Sequence, residues 1–255
     1  MGGKFKWRTW PEFLCAGVGA RDVYAVGEQG LILHFDGTSW TTVASGTTTT
    51  LYGLWGRSAD DIWVVGGDPS GQAGKAVILR GNASGFHPVT LPPDLVPGAI
   101  FKVYGMPAGD VVAVGTGGSV LRFDGTWRRD TVPTKASLIS LWGGGGETLY
   151  AVGGDGSGII LHYDGAVWSK VSGVGVGMGL FGVFKSPGQP AFAVGAGPRI
   201  LQVDSAQVSE PESPTLNPGM VLHSVWGDGL GSVYAVGGSL YGDPTAMTGV
   251  ILRRQ

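Results

Sequence analysis

A five-residue segment that ends in glycine recurs six times along this chain of 255 residues. The copies read VYAVG, IWVVG, VVAVG, LYAVG, AFAVG and VYAVG, and they close on Gly27, Gly66, Gly115, Gly153, Gly195 and Gly237. The closing glycines are 39, 49, 38, 42 and 42 residues apart. A repeat of about 40 residues is the period expected of a β-propeller blade. The chain is therefore expected to fold as a ring of six similar units.

Each unit divides into four short segments with the composition of β-strands. In the second unit these segments are TLYGLWG, DIWVVGG, KAVILRGN and GFHPVTL. They are rich in β-branched and aromatic residues and are bounded by Gly, Asp, Asn or Pro, and no segment shows a helical period. We therefore predict an all-β, six-bladed β-propeller of four-stranded antiparallel blades, folded as a single domain over residues 1–255.

The two ends of the chain are predicted to close the ring. The sixth unit stops after its third strand, GVILRRQ, and the chain begins with KWRTW. That segment aligns with the fourth-strand segments SWTTV and VWSKV, so that Trp7 takes the place of Trp40 and Trp168. The N-terminal strand, Lys4 to Trp10, is expected to complete the last blade, because an unpaired sheet edge invites aggregation.

The order of residues within the unit resembles the kelch repeat. A hydrophobic strand that ends in glycine, then a Tyr or Phe, then a Trp is the order seen in VYAVGG and HYDGAVW. The chain is similar also to the tandem WG…DVYAVG…ILHYDGxxW repeats of bacterial, often secreted, propeller proteins. The resemblance covers nearly the whole chain and implies the propeller fold, and its motifs imply packing roles rather than chemistry.

Charge and cysteine content narrow the classes of function. The chain has 17 basic and 19 acidic residues, whereas binding to nucleic acid or to an anionic membrane calls for a basic excess. No apolar run approaches the length of a membrane span. The single Cys15 excludes an intramolecular disulfide and a multi-cysteine zinc site. We expect a monomer with no nucleic-acid partner and no membrane span.

The start of the chain, MGGKFKWRTW, contains no apolar segment that would act as a signal peptide. Two expectations are compatible with it, a cytoplasmic protein and the mature form of an exported one. The low lysine content and the richness in Thr and Gly favour a secreted or cell-surface origin.

The conspicuous segment LHYDGAVW resolves into repeat positions. His34 and His162 align with Arg80, Arg122, Gln202 and Arg253. We interpret this position, and likewise His87, as polar side chains on a solvated strand face. The Asp-Gly pairs after these strands predict hairpins with type I′ turns. The tryptophans that follow the turns are expected to pack the blades.

No catalytic motif is present, neither G-x-S-x-G nor H-E-x-x-H, and Cys15 has no histidine next to it in the sequence. The segment GGDGSG, residues 153–158, is not followed by a helical pattern that would bind phosphate. Its two oxygen side chains could assist in binding Ca²⁺, but six to eight oxygen ligands are needed, and a plain loop is the preferred interpretation. We expect no cofactor, no metal and no catalytic residue, and leave an enzymatic role open.

Function is expected where one unit departs from the others. The loops between the second and third strands are long in the second unit and the sixth, and short in the first unit between them. The two long loops form walls on either side of the short loop, which forms a floor, and this arrangement predicts a groove on the loop-rich face. The Pro-rich links between units lie at the edge of the same face. The predicted groove residues are Asp68 and Lys75 on one wall, Tyr241 and Asp243 on the other, and Glu28 and Gln29 on the floor.

The innermost strands carry two further departures. One repeat position is small in every unit except the third, which has Lys102, and the neighbouring position is apolar in every unit except the sixth, which has His223. An ammonium near the channel mouth is suited to a carboxylate or a phosphate group, whereas a side chain that merely reaches channel water needs no ligand.

Three hypotheses on function follow. The first is a non-catalytic binding module that holds a glycan or a protein segment on the loop-rich face. The second is a lyase or hydrolase with its site at the channel mouth. The third is a structural repeat domain of a larger surface protein. The first is preferred because the inner strands carry no paired acids or metal ligands besides Lys102 and His223.

Overall fold

A computed structural model describes residues 14–19, 21–70, 72–154, 156–172, 178–204, 207–211, 215–228, 231–239 and 248–254. For residues 14–18 and 144–145 it describes the backbone alone. Almost all regular structure in these ranges is β-strand. Among the described residues, no helix has the length and hydrophobicity needed to cross a membrane.

The first three sheets are four-stranded and antiparallel, with strands in chain order. The first contains β1 (Leu14–Gly19), β2 (Asp22–Val26), β3 (Ile32–Phe35) and β4 (Trp40–Val43). The second contains β5 (Leu51–Ser58), β6 (Asp61–Gly66), β7 (Val77–Asn82) and β8 (Gly85–Pro88). The third contains β9 (Ile100–Gly105), β10 (Val111–Gly115), β11 (Val120–Phe123) and β12 (Trp127–Arg129).

The other three sheets repeat this pattern. The fourth contains β13 (Leu138–Gly145), β14 (Thr148–Gly153), β15 (Ile159–Tyr163) and β16 (Trp168–Lys170). The fifth contains β17 (Leu180–Lys185), β18 (Ala191–Gly195), β19 (Ile200–Asp204) and β20 (Gln207–Ser209). The sixth contains, within the described residues, β21 (Val221–Gly227), β22 (Val233–Gly238) and β23 (Gly249–Arg254).

The first strands of the sheets form the centre of a ring. Each of them lies beside the first strand of the next sheet, from β1 through β5, β9, β13 and β17 to β21. The protein is a six-bladed β-propeller, which confirms the predicted fold. The segment Lys4 to Trp10 lies outside the described residues, so its role as the last strand of the sixth blade stays a prediction.

The hydrophobic core lies between successive blades, which explains the repeated AVG segment. Val112 and Val114 of β10 pack with Leu141 and Leu149 of the next blade. A second strand covered on both faces by neighbouring blades needs apolar side chains on both sides, and β10 is buried along its whole length. Each valine or leucine buried in this way stabilises the fold by roughly 1.5–3 kcal/mol.

The glycine that closes each repeat allows two strands to approach closely. A Cβ added at Gly66 would lie 3.0 Å from the Cα of Leu51 and would overlap the carbonyl oxygen of Thr50. Gly115 stands in the same relation to Ile100, at 3.0 Å from its Cα. Only glycine fits at the end of the repeated segment, because the first strand of the same blade begins in direct contact with it.

The Asp-Gly pairs form the predicted hairpins, but the expectation of type I′ turns is wrong. The backbone φ is positive at Gly37 (92°) and Gly165 (106°), and not at the aspartates before them. A carboxylate oxygen of Asp36 accepts hydrogen bonds from the backbone N–H groups of Thr38 and Ser39, both at 2.8 Å. The aspartate closes the loop with its side chain, so only the glycine needs the left-handed conformation.

The aligned polar residues of the third strands contact the second strands of their own blades. The imidazole of His34 stacks on Tyr24 with ring centroids 4.4 Å apart, and its Nε2 lies 2.7 Å from Oδ1 of Asp22. The guanidinium of Arg80 lies 4.9 Å from the ring centroid of Trp63 and donates to Asp61 at 2.6 Å. This position is therefore a cross-strand stacking and ion-pairing site, more structured than the solvated face expected from the alignment.

Candidate functional site

The face that carries the loops between second and third strands also carries the blade-to-blade links. In the second blade, the backbone N–H of Asp68 donates to the carbonyl of Gly98 at 2.9 Å, and that of Ala76 donates to Pro97 at 3.0 Å. The long loop is thus bonded along the Pro-rich link that leads into the third blade. This arrangement places the two kinds of connection on one face at this blade.

The predicted groove is described on its floor and on one wall. Glu28 and Gln29 lie exposed in a 3-10 turn after β2, and Gln29 has a left-handed φ of 54°. On the wall, Lys75 is exposed, and a carboxylate oxygen of Asp68 accepts the N–H of Ser70 at 2.9 Å. The hydrogen bonds from Ser70 and the charge of Lys75 lower the pKa of Asp68.

The other wall was predicted to carry Tyr241 and Asp243. Both residues lie outside the described part of the chain, as does most of the loop that contains them. The groove as a whole therefore stays a prediction.

The mouth of the channel is shaped by a β-bulge that recurs in the first strands. In the second blade Leu51 pairs with Gly66 and Gly53 with Val65, so Tyr52 is the extra residue. The same shift in register occurs in the third to sixth blades and singles out Phe101, Ile139, Phe181 and His223. A bulge bends a strand and redirects one side chain. These five side chains are half-buried, one residue from the loop-rich end of the innermost strands.

The first blade departs from this pattern. In the first blade, Ala25 pairs with Cys15 of β1. In the second blade the equivalent residue, Val64, pairs with Leu54, which lies two residues after the position that aligns with Cys15. The register shift in β1 falls between Gly17 and Gly19 instead.

Aromatic rings at the mouth meet across two blade boundaries. Tyr52 and Phe101 have ring centroids 5.3 Å apart, and Phe181 and His223 have centroids 5.6 Å apart. The pairs belong to the second and third blades and to the fifth and sixth blades. The mouth therefore presents flat, partly exposed rings on both sides of the axis, held by strands rather than by loops.

The small residues next to these rings are small because the strands converge there, as predicted. A Cβ added at Gly53 would lie 2.5 Å from the carbonyl oxygen of Phe101. A Cβ added at Gly182 would lie 3.0 Å from the Cα of Ser224. In the third blade this position carries Lys102, which is half-buried. Burial lowers the pKa of Lys102 to about 8.

The structure separates the two axial residues that the sequence singled out. Lys102 lies on β9 in the third blade, and His223 lies on β21 in the sixth. Three blades separate them in a ring of six, so they stand on opposite sides of the axis. Within the described ranges, no group of three or more His, Cys, Asp or Glu side chains is arranged to hold a metal ion.

A charged cluster between the third and fourth blades was not predicted. The guanidinium of Arg122, 3% exposed, donates to Asp130 at 2.8 Å and reaches Asp110 at 3.4 Å. The same Asp130 carboxylate accepts Nε1–H of Trp168 at 3.0 Å. The available sequence signal was Val112, since it stands where the other five blades have an aromatic ring beside the aligned third-strand residue.

Asp130 and Trp168 of this cluster line a cleft of about 430 Å³ on the outer rim. Arg122 lies over the ring of Tyr163 in the next blade, 4.6 Å from its centroid, and so crosses the blade boundary. The basic side chains at the opening are already engaged: Arg128 with Asp124 and Asp130, and Arg129 with Ser119 and Leu95. We interpret the cluster as a structural connection between blades.

Comparison with known proteins supports the fold. No protein-family model and no curated protein matches the chain. The structure is similar to that of YCF48 bound to a D1 peptide, with a TM-score of 0.66 and 14% identity, covering 91% of this chain and 80% of that one.

Two further solved structures are similar to the structure of this chain. The extracellular domain of the hybrid two-component system BT3049 from B. thetaiotaomicron matches with a TM-score of 0.65 and 10% identity, covering 90% of this chain and 33% of that one. A luciferin-regenerating enzyme matches with a TM-score of 0.51 and 12% identity, covering 91% of this chain and 87% of that one. At these identities the likeness shows the fold alone.

Proposed function

We propose that this protein is a non-catalytic binding module that holds a segment of another protein on its loop-rich face, centred on the mouth of the channel. The observation that carries the proposal is the set of half-buried rings at the bulged positions, in the pairs Tyr52–Phe101 and Phe181–His223. These rings lie where the loops and links of the same face would surround a bound segment.

Physical chemistry supports aromatic rings as anchors. Aromatic side chains offer a large contact area with few rotatable bonds, and they are enriched among the residues that dominate protein–protein binding energy. The rings here sit on the innermost strands of a rigid scaffold, so little conformational entropy is lost when a ligand binds. A flat apolar wall on two sides of the axis fits the side chains of an extended segment.

The comparisons favour a protein segment over a glycan as the occupant. The similar YCF48 structure is that of a complex with a peptide, which supports this kind of ligand for a propeller of related shape. The alternative of a channel-mouth lyase or hydrolase would need acid–base or metal-binding groups converging on one point. The described residues of the mouth offer the ammonium of Lys102 and the imidazole of His223 on opposite sides of the axis, so these two groups do not converge, which favours binding over catalysis.

The proposal is tested by selecting ligands for the purified protein from a phage-displayed library of linear peptides, in parallel with a glycan array. Phe101→Ala and Phe181→Ala remove one ring from each pair. Trp40→Ala is the matched control, because Trp40 is a 43% exposed aromatic residue on the outer strand of the first blade. Circular dichroism and thermal unfolding establish that each variant is folded.

We expect peptides whose binding is lost in the mouth variants and retained in Trp40→Ala. Enrichment of glycans without peptides, enrichment of no ligand, or peptide binding that survives both mouth variants would each contradict the proposal.

A further inference from the structure

Lys102 occupies a position that has no room for a side chain in two other blades. At Gly53 an added Cβ would be 2.5 Å from a backbone oxygen of the next blade, and at Gly182 it would be 3.0 Å from a backbone carbon. The fourth and sixth blades have serine there. A four-carbon side chain that ends in a cation is therefore a specific feature of the third blade, and packing does not explain it.

The ammonium group lacks a counter-ion in the described structure. The strands packed against β9 are β5, β6, β10 and β13, and their titratable side chains are Tyr52, Arg57 and Asp61. Asp61 is the one carboxylate among them, and it is ion-paired with Arg80. Burial of Lys102 is the sole cause of its lowered pKa, so no described carboxylate stabilises the charge. Burial of a cation without a counter-ion is unfavourable, and an anionic group on a bound ligand would stabilise it.

The surroundings of Lys102 favour a carboxylate over a phosphate. A phosphate group carries more than one negative charge and is usually held by several cations or by a forked guanidinium. Here a single lysine follows Phe101 in β9, and the equivalent bulged residues are Tyr52 in the preceding blade and Ile139 in the next. One positive charge within an apolar rim matches one negative charge attached to an apolar group.

We propose that Lys102 binds a carboxylate group of the protein segment held at the mouth. This inference rests on the proposed function and specifies the chemistry of its ligand. The carboxylate has two sources in a protein, the chain terminus and the side chain of Asp or Glu, and a free C-terminus after an aromatic or aliphatic residue has the required combination of charge and apolar surface.

A direct test uses a small probe and does not depend on finding the natural ligand. The pKa of Lys102 is measured by NMR of labelled lysine side chains, assigned with Lys102→Met, in the presence of N-acetylphenylalanine or its uncharged amide. The acid is expected to raise the pKa above its value of about 8, whereas the amide leaves it unchanged. An equal response to the two probes, or no response to either, would overturn the inference.

Peptides selected from the library distinguish a bound chain terminus from a bound acidic side chain. They also distinguish the carboxylate site from the proposed function as a whole. We expect Lys102→Met to weaken binding about tenfold to hundredfold, the range for one charge-assisted hydrogen bond, and Lys170→Met on the outer strand β16 to leave it unchanged. Amidation of the C-terminus abolishes the effect if the terminus is bound, and Asp→Asn or Glu→Gln changes in the peptide abolish it if a side chain is bound. Binding that depends on Phe101 and not on Lys102 overturns the carboxylate site and leaves the proposed function standing.

Discussion

The indole ring of Trp55 covers Gly105 of the next blade so closely that a Cβ on Gly105 would overlap its six-membered ring. Gly143 stands in the same relation to Tyr104, and Gly227 to Phe184, with 2.5 Å between an added Cβ and Cε1 of Phe184. The aromatic residue that ends one first strand thus rests on a glycine of the following first strand. This contact links the second blade to the third, the third to the fourth and the fifth to the sixth, whereas the fifth blade has Lys185 in place of the glycine.

Replacing that glycine should therefore destabilise the propeller. Gly105→Ala is expected to lower the free energy of unfolding by about 1–3 kcal/mol, because the methyl group must displace Trp55 from a packed position. This effect opposes the gain of about 0.5–1 kcal/mol that alanine brings to a strand. Denaturant unfolding followed by tryptophan fluorescence measures the change.

Gly249→Ala is the matched control for this substitution. The nearest atom to a Cβ added there is 3.9 Å away, which is ordinary contact, and Gly249 is also a strand residue. If Gly105→Ala is as stable as Gly249→Ala, the ring contact carries no packing energy. Combining Trp55→Leu with Gly105→Ala should recover part of the loss.

The buried pair of Arg122 and Asp130 gives a second prediction. Asp130→Asn leaves the guanidinium of Arg122, 3% exposed, with Asp110 at 3.4 Å as its remaining carboxylate partner. Removing one member of a buried ion pair costs about 3–5 kcal/mol, so the variant should unfold at a distinctly lower denaturant concentration. Glu210→Gln in the more exposed pair with Arg199 should cost less than about 1 kcal/mol. Equal losses in the two variants would show that the cluster is not a buried connection.

The pKa of Lys102 predicts how stability depends on pH. Burial lowers it from 10.5 to about 8 in the folded protein, so between these values the unfolded chain binds more protons. The free energy of unfolding of the protein, compared with that of a variant without the amine, therefore rises with pH across that window. Lys102→Met should therefore be more stable than the unmodified protein at pH 7, and its advantage should shrink towards pH 10. Chemical denaturation at both pH values tests this.

The fold was predictable from the sequence because the same repeat specifies both the number of blades and the packing of the strands within them. The spacing of Gly27 and its counterparts predicts the blades, and the small residues at the repeat position of Gly53, in every unit but the third, predict the convergence of the inner strands. The bulges at Tyr52 and Phe101 were not predicted, since an extra residue at the end of a strand shifts only one or two positions of the alternating side-chain pattern. The pairing of Arg122 with Asp130 was missed because it joins a third strand to the link that follows the fourth, at a distance that no strand pattern encodes.

The closing strand provides the last prediction. Val236 is 38% exposed in the sixth blade, whereas Val65 and Val114 at the same repeat position are fully buried, and Ile251 is 75% exposed. Within the described residues this blade thus ends in an uncovered apolar strand. Deleting residues 4–10 should lower the melting temperature and produce aggregates on size-exclusion chromatography, because β23 would lose its predicted partner.

A synthetic peptide with the sequence of residues 2–12 should restore the melting temperature of the truncated protein when added in trans. The same peptide with Trp7→Ala and Trp10→Ala should not, since Trp7 aligns with Trp40 and Trp168, and Trp10 with Val43 and Val171, in the other fourth strands. A truncated protein that is monomeric and as stable as the full chain would show that the ring closes without this strand.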